Sequence, residues 1–202
     1  MYYLDTNTPM INFEKILNDD IYVDKSMLIE KTNQKIGKRN CYVCITRPRR
    51  FGKTSNVSML GAYYTVGYDA QSLFKDLKIE NSDSFKEHLN KHHVIYIDFS
   101  RMPDRCDCFD DYLDWVKFCL KTDMKEAFNA EGQVNEPIQE IVKKTEKKFI
   151  FLLDEWDSIF YKKFMTEDDK QAYLEFLKGL LKDQPYVELA FMTGVLPIAK
   201  YT

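Results

Sequence analysis

An α/β layer sandwich on a largely parallel sheet is the fold class predicted by this 202-residue sequence. Three observations predict it. Short apolar runs alternate with segments of helical period along the chain. One of those runs, "KFIFLLD" (148–154), is apolar on every side, as a central strand covered on both faces must be. Around residues 41–66 a strand, a basic turn ending in GKT and a helix follow one another directly.

Taken in order, the first elements are two helices. "INFEKILNDD" (11–20) and "DKSMLIEKTNQKI" (24–36) carry apolar residues at helical spacing. "CYVCIT" (41–46) is short, apolar and rich in β-formers, which predicts a buried strand. In "SNVSMLGAYYTV" (55–66), Val57, Leu60, Tyr63 and Tyr64 share one helical face. A short helix near "DSFKEHLN" precedes the strand "HVIYIDF" (93–99). The segment 107–128 is a long amphipathic helix, because Phe109, Tyr112, Leu113, Val116, Leu120, Met124 and Phe128 follow a helical repeat. "PIQEIVKKT" (137–145) is a shorter helix, and the central strand 148–154 follows it. A helix over 167–183 then leads to a fourth strand, "YVELAFMTGV" (186–195). The chain has no internal repeat, no low-complexity tract and no clear linker. One domain is expected: a core over 41–202, with residues 1–40 as an N-terminal helical extension packed on it.

Composition narrows the function classes. A hydrophobic share of 45% and a charged share of 30% are those of a soluble globular protein. No apolar stretch is long enough to cross a bilayer, and the first residues lack the pattern of a signal peptide, so a cytoplasmic location is expected. A net charge of -3 excludes a domain that is basic as a whole and wraps nucleic acid by charge. Basic residues are local instead, as in "RPRR" (47–50), and local charge suits a single bound anion. Five cysteines without an export signal predict free thiols. Cys41 and Cys44 form a CxxC inside a strand, and Cys106 and Cys108 a CxC in a loop, with no second pair at metal-ligand spacing.

The chemistry begins at "ITRPRRFGKTSN" (45–56). A phosphate loop of the form GxxxxGK[ST] joins a strand to a helix, so that backbone N–H groups and the helix N-terminus together hold phosphate. Its lysine neutralises the outer phosphates, and its Ser or Thr hydroxyl ligates magnesium. Gly52, Lys53 and Thr54 end the stretch as such a loop ends, but Arg47 stands where a glycine usually begins it. That substitution predicts a different backbone path at 47. Pro48 lacks an N–H, yet the donors that wrap phosphate come later, around 50–54. Arg49 and Arg50 can add charge-assisted contacts. The candidate nucleotide-binding residues are therefore Arg49, Arg50, Phe51, Gly52, Lys53, Thr54 and Ser55.

The partner motif is "KFIFLLDEWD". Five apolar residues, 149–153, lead into Asp154 and Glu155, at the carboxyl end of a strand, where ligands of open α/β sheets gather. Asp154 is the candidate magnesium carboxylate beside Thr54, and Glu155 the candidate base for the attacking water. Asp157 either caps a following turn with Ser158 or extends the acidic site. Thr193 reaches the same sheet edge if its strand neighbours that of Asp154, where it can bond the γ-phosphate or the water. Asp98 ends its own strand similarly and ranks below it.

"YVDKSMLIE" (22–30), "TRPRRFGKTSNVSML" (46–60), "LFKDLKI" (73–79), "VIYIDFS" (94–100), "LLDEWD" and "MTGVLPIAKY" occur in an order that resembles the predicted AAA-ATPase-like proteins of bacteria. The resemblance covers nearly the whole chain, and RPRRFGKT resembles that family's own phosphate loop. It implies a P-loop NTPase three-layer sandwich of the additional-strand type, with another strand between the loop's strand and that of the catalytic glutamate. ATP and Mg2+ are the ligands it implies. Gly52, Lys53 and Thr54 then act as the phosphate loop, Asp154 and Glu155 as the second motif, and Thr193 as a sensor-like residue. Asp24 and Lys25 of "YVDKS" are candidates for the adenine side. Family members continue into a helical lid and a nuclease-like domain, and neither, nor a lid arginine, is recognisable before Thr202. An arginine finger is then expected from a second copy or a protein partner.

Two functions follow from different classes. The first is a slow Mg-dependent ATPase that works as a conformational switch, catalysed by Glu155, Lys53 and Thr193. The second is a regulatory module that binds ATP without hydrolysing it. A small-molecule kinase is disfavoured, because adjacent Asp and Glu activate water that a kinase must exclude.

Overall fold

The computed structural model describes residues 1–104, 106–133 and 136–197. The tail of "MTGVLPIAKY" lies outside the described residues. The chain is α/β with a four-stranded, all-parallel sheet and seven α-helices among the described residues. In chain order these are α1 (Thr8–Leu17), α2 (Met27–Asn33), β1 (Tyr42–Thr46), α3 (Lys53–Tyr64), α4 (Phe85–His88) and β2 (His93–Asp98). There follow α5 (Phe109–Phe128), α6 (Ile138–Lys144), β3 (Phe149–Asp154), α7 (Glu167–Leu181) and β4 (Val187–Gly194).

The strand order is β1-β4-β3-β2. Strand β4 therefore lies between β1, which feeds the GKT turn, and β3, which ends in Asp154. Registers of Ile45 with Thr193 and of Asp98 with Asp154 bring the carboxyl ends of all four strands to one edge. Alternation along the strands divides the core in two. Ile150, Leu152, Leu189 and Phe191 pack with α1, α2, α3 and α4 on one face. Phe149, Phe151, Leu153, Ala190 and Met192 pack with α5, α6 and α7 on the other.

Capping accounts for the two long helices. Thr166 and Asp169 form a reciprocal capping box at the start of α7. The Cys108 sulfur accepts the Asp111 N–H at the start of α5, and Asn129 in the left-handed region ends that helix. Strand β3 is buried along its whole length, as its unbroken apolar run requires. Strand β1 is not: Tyr42 and Cys44 are exposed, because β1 is an edge strand and one of its sides has no strand partner among the described residues.

The first residues do something that no helical period reveals. Tyr3 carbonyl accepts the Tyr96 N–H at 2.9 Å, and Asp5 N–H donates to Val94 carbonyl at 2.8 Å, so residues 3–5 run antiparallel along the outer edge of β2. Buried Asp123 of α5 clamps the same segment, accepting the N–H groups of Tyr2, Tyr3 and Leu4. The free edge of β2 is thereby covered.

Helix α1 lies against α3, and Gly61 is what lets it approach. A Cβ there would overlap Pro9 Cβ and come within 2.8 Å of its Cγ. Gly61→Ala gains roughly 1 kcal/mol of helix propensity, but overpacking a close helix contact costs up to about 3 kcal/mol. A net loss of about 2 kcal/mol is expected, read as a melting temperature lower by roughly 6 °C in a chain of this size. No helix among the described residues is long and apolar enough to cross a membrane.

Candidate nucleotide site

The turn from β1 to α3 shows what the chain does at Arg47. Its N–H donates to the Gly194 carbonyl at 3.2 Å, extending the β1–β4 ladder by one residue, and its φ is not positive. An arginine is therefore unstrained there. Left-handed backbone falls later in the loop, at Arg50 (φ 68) and at Gly52 (φ 75), which caps α3. Glycine supplies that conformation freely, while Arg50 adopts it at a cost of about 1 kcal/mol.

Lys53 begins α3 and is buried. Its ammonium donates to the carbonyls of Arg47 and Pro48 at 3.0 and 3.1 Å, so it closes under the loop. Arg49, Arg50 and Phe51 project from the loop and are exposed, as is Thr54. Ser55 is half-buried in the first turn of α3.

Opposite stands the end of β3. Asp154 is buried, and its Oδ1 accepts the Thr193 hydroxyl from the neighbouring strand β4. The Thr54 hydroxyl also interacts with this carboxylate. Burial pushes the Asp154 carboxyl above the usual range and Asp98 adds to the rise, while the two hydroxyls and the Glu155 N–H oppose it. Glu155 turns out of the strand at φ 50, its N–H shared between Asp154 Oδ1 at 3.1 Å and Thr193 Oγ1 at 3.3 Å. Its carboxyl is likewise raised, by burial first and then by Asp154, with Lys53 and Arg49 pulling it down. A half-buried carboxylate that feels Lys53 and Arg49 from the loop, and Asp154 and Asp98 beside it, belongs to one electrostatic cluster.

Lys53, Thr54, Arg49, Asp154, Glu155 and Thr193 thus meet at one edge of the sheet. Asp98 joins them at its margin, paired with Arg101 at 3.1 Å and accepting from Ser100. Phe51 belongs to the loop and Ser55 to the first turn of α3. A hydroxyl on the surface beside a buried carboxylate is an oxygen donor set suited to a hard cation such as Mg2+, and the cations around the loop suit a polyphosphate.

The Asp157 side chain makes no bond that caps the following turn, one of the two jobs the sequence offered it, and the residue, like Asp154, is buried. Its Oδ2 accepts the N–H groups of Val195 and Leu196 at 2.9 and 2.6 Å, tying the segment after β4 to the segment after β3. Only the fold brings those partners together. Asp24 also serves the fold, since its carboxylate accepts the N–H groups of Ser26 at 2.8 Å and Lys78 at 3.0 Å.

A family model described as predicted AAA-ATPase matches residues 8–202. No curated protein and no solved structure matches the chain.

Proposed function

Because the chain belongs to the family of predicted AAA-ATPases, we propose that its nucleotide-binding domain takes ATP with Mg2+ and hydrolyses it slowly, using nucleotide state as a conformational switch. The observation that carries this reading is the meeting of Lys53 and Thr54 with Asp154, Glu155 and Thr193 at one sheet edge.

In this reading Thr54 and Asp154 hold the metal ion, which when bound neutralises phosphate charge. The loop N–H groups around 50–54 and the start of α3 seat the phosphates, with Arg49 and Arg50 reaching their outer oxygens. Glu155 accepts a proton from water as the water oxygen bonds to the γ-phosphorus. The bond from that phosphorus to the β,γ-bridging oxygen breaks, and ADP and phosphate leave. Lys53 leaves the Arg47 and Pro48 carbonyls and stabilises the charge that gathers on the transferred group. Thr193 orients Glu155 and the water. An arginine finger comes from a second copy or a protein partner, so turnover by one chain alone is slow. Residues 41–202 form the nucleotide core, and residues 1–40 are its extension.

A second reading has one observation in its favour. Lys53 bonded to the loop's own carbonyls suits a module that rests closed and responds to ATP by binding alone. The two readings share a test of binding and differ in turnover. Calorimetric titration of ATP with Mg2+ into the wild-type chain is expected to show one site, and Lys53→Ala to weaken it by about 100-fold or more. Phosphate release measured in parallel separates switch from silent module. A wild-type chain that binds no ATP would overturn both.

A further inference from the structure

Lys25 belongs to the chain before α2, far in sequence from the phosphate loop, yet its Nζ stands 3.0 Å from the position that a Cβ on Gly52 would take. Gly52 is the left-handed residue that opens α3. The absence of a side chain at 52 therefore serves two ends, the backbone turn and room for a second lysine. We propose that Lys25 is a phosphate-binding residue, which contacts the polyphosphate chain of the nucleotide beside Gly52. The inference rests on the nucleotide reading above and adds to it a ligand contact from the N-terminal segment. It also moves Lys25 from the adenine side, where the family resemblance placed it, to the phosphates.

Three features of the fold support it. First, the backbone at 24–26 is fixed while the Lys25 side chain is free to reach. Asp24 ties the N–H groups of Ser26 and Lys78, fully buried Ser26 accepts the Ile79 N–H on its hydroxyl at 3.1 Å, and the Lys25 carbonyl accepts the Leu28 N–H at 2.9 Å. A rigid pedestal under an exposed lysine reduces the freedom lost when its ammonium engages a ligand. Second, Lys25 forms no ion pair among the described residues. Third, the loop whose Gly52 it faces is itself cationic, carrying Arg49, Arg50 and Lys53 and leading into the amino end of α3. Positive groups drawn from two distant segments repel one another unless an anion of several charges lies among them. A di- or triphosphate is such an anion; an uncharged nucleoside is not.

The test uses the full chain and three probes: ATP, inorganic tripolyphosphate and adenosine, each with Mg2+. Lys25→Met is expected to weaken ATP and tripolyphosphate alike by about 10- to 100-fold, the loss of one charged hydrogen bond, and to make ATP binding less sensitive to salt. Lys25→Arg should keep most of the affinity, and adenosine should bind both variants as it binds the wild type. Because residue 25 is exposed, melting of the unliganded chain should not change; Lys25→Gln serves as a second neutral variant if Lys25→Met folds poorly. Wild-type affinity in the neutral variant that folds, with Lys53→Ala still defective, would overturn the role of Lys25 and leave the nucleotide site standing. Loss of ATP but not of tripolyphosphate would place Lys25 on the base or ribose and also overturn it. If the wild type bound neither ATP nor tripolyphosphate, both readings would fall together.

Discussion

Glu155→Gln is expected to lower ATP turnover about a thousandfold while ATP binds as it does to the wild-type chain. The substitution keeps the size and reach of the side chain and removes its charge, and with it the capacity to take a proton. The backbone at 155 is held independently of the side chain, by the shared bond of its N–H to Asp154 and Thr193, so the loop should keep its shape. Like charges are also relieved, since Asp154 and Asp98 both disfavour an ionised Glu155. The variant should therefore melt no lower than the wild type. Single-turnover phosphate release beside equilibrium binding is the measurement. An equal loss of binding and turnover would make Glu155 a structural or ligand-contacting residue, and unchanged turnover would remove it from the chemistry.

The largest stability loss is expected from Gly194→Ala. A Cβ at 194 would overlap the indole Nε1 of Trp156 and lie 2.6 Å from its Cδ1 and 2.8 Å from Asp157 Oδ1. Neither neighbour has room to withdraw: Trp156 is fully buried, and Asp157 is bound to two backbone N–H groups. Overpacking of this kind costs about 3 kcal/mol, which for a chain of this size lowers the melting temperature by roughly 9 °C. The backbone φ at 194 is not in the left-handed region, so the effect is one of space alone. ATP binding should weaken as well, because the Gly194 carbonyl holds the Arg47 N–H at the start of the loop. Thermal melting with and without ATP separates the two effects. A variant that melts like the wild type would show that Trp156 can shift.

What can be read from the sequence, and what cannot, divides by the range of the contacts involved. The β3 run and its Asp154-Glu155 ending are legible because burial on both faces leaves an unbroken apolar signature. The place of Thr193 is legible on the condition that β4 neighbours β3, as it does. The apolar run of β1 overstates its burial, since such a run does not say whether it lies in the middle of a sheet or at its edge. Asp157 misleads because its partners, Val195 and Leu196, are local to another strand. Residues 2–5 form too short a strip for any period to show, and their partners in β2 and α5, Val94, Tyr96 and Asp123, lie far along the chain. Lys25 is legible as a lysine of a motif, but its meeting with Gly52 belongs to the fold.

The strand order also has a consequence for the making of the protein. β1 pairs only with β4 among the described strands, and β4 is the last of those strands along the chain. As the ribosome extends the polypeptide, the GKT turn emerges early and waits, its strand unpaired, until nearly all the rest of these elements has been synthesised. Contacts so distant along the chain form slowly. Nucleotide therefore cannot guide the early steps of folding; it can only stabilise a molecule whose β4 is already in place.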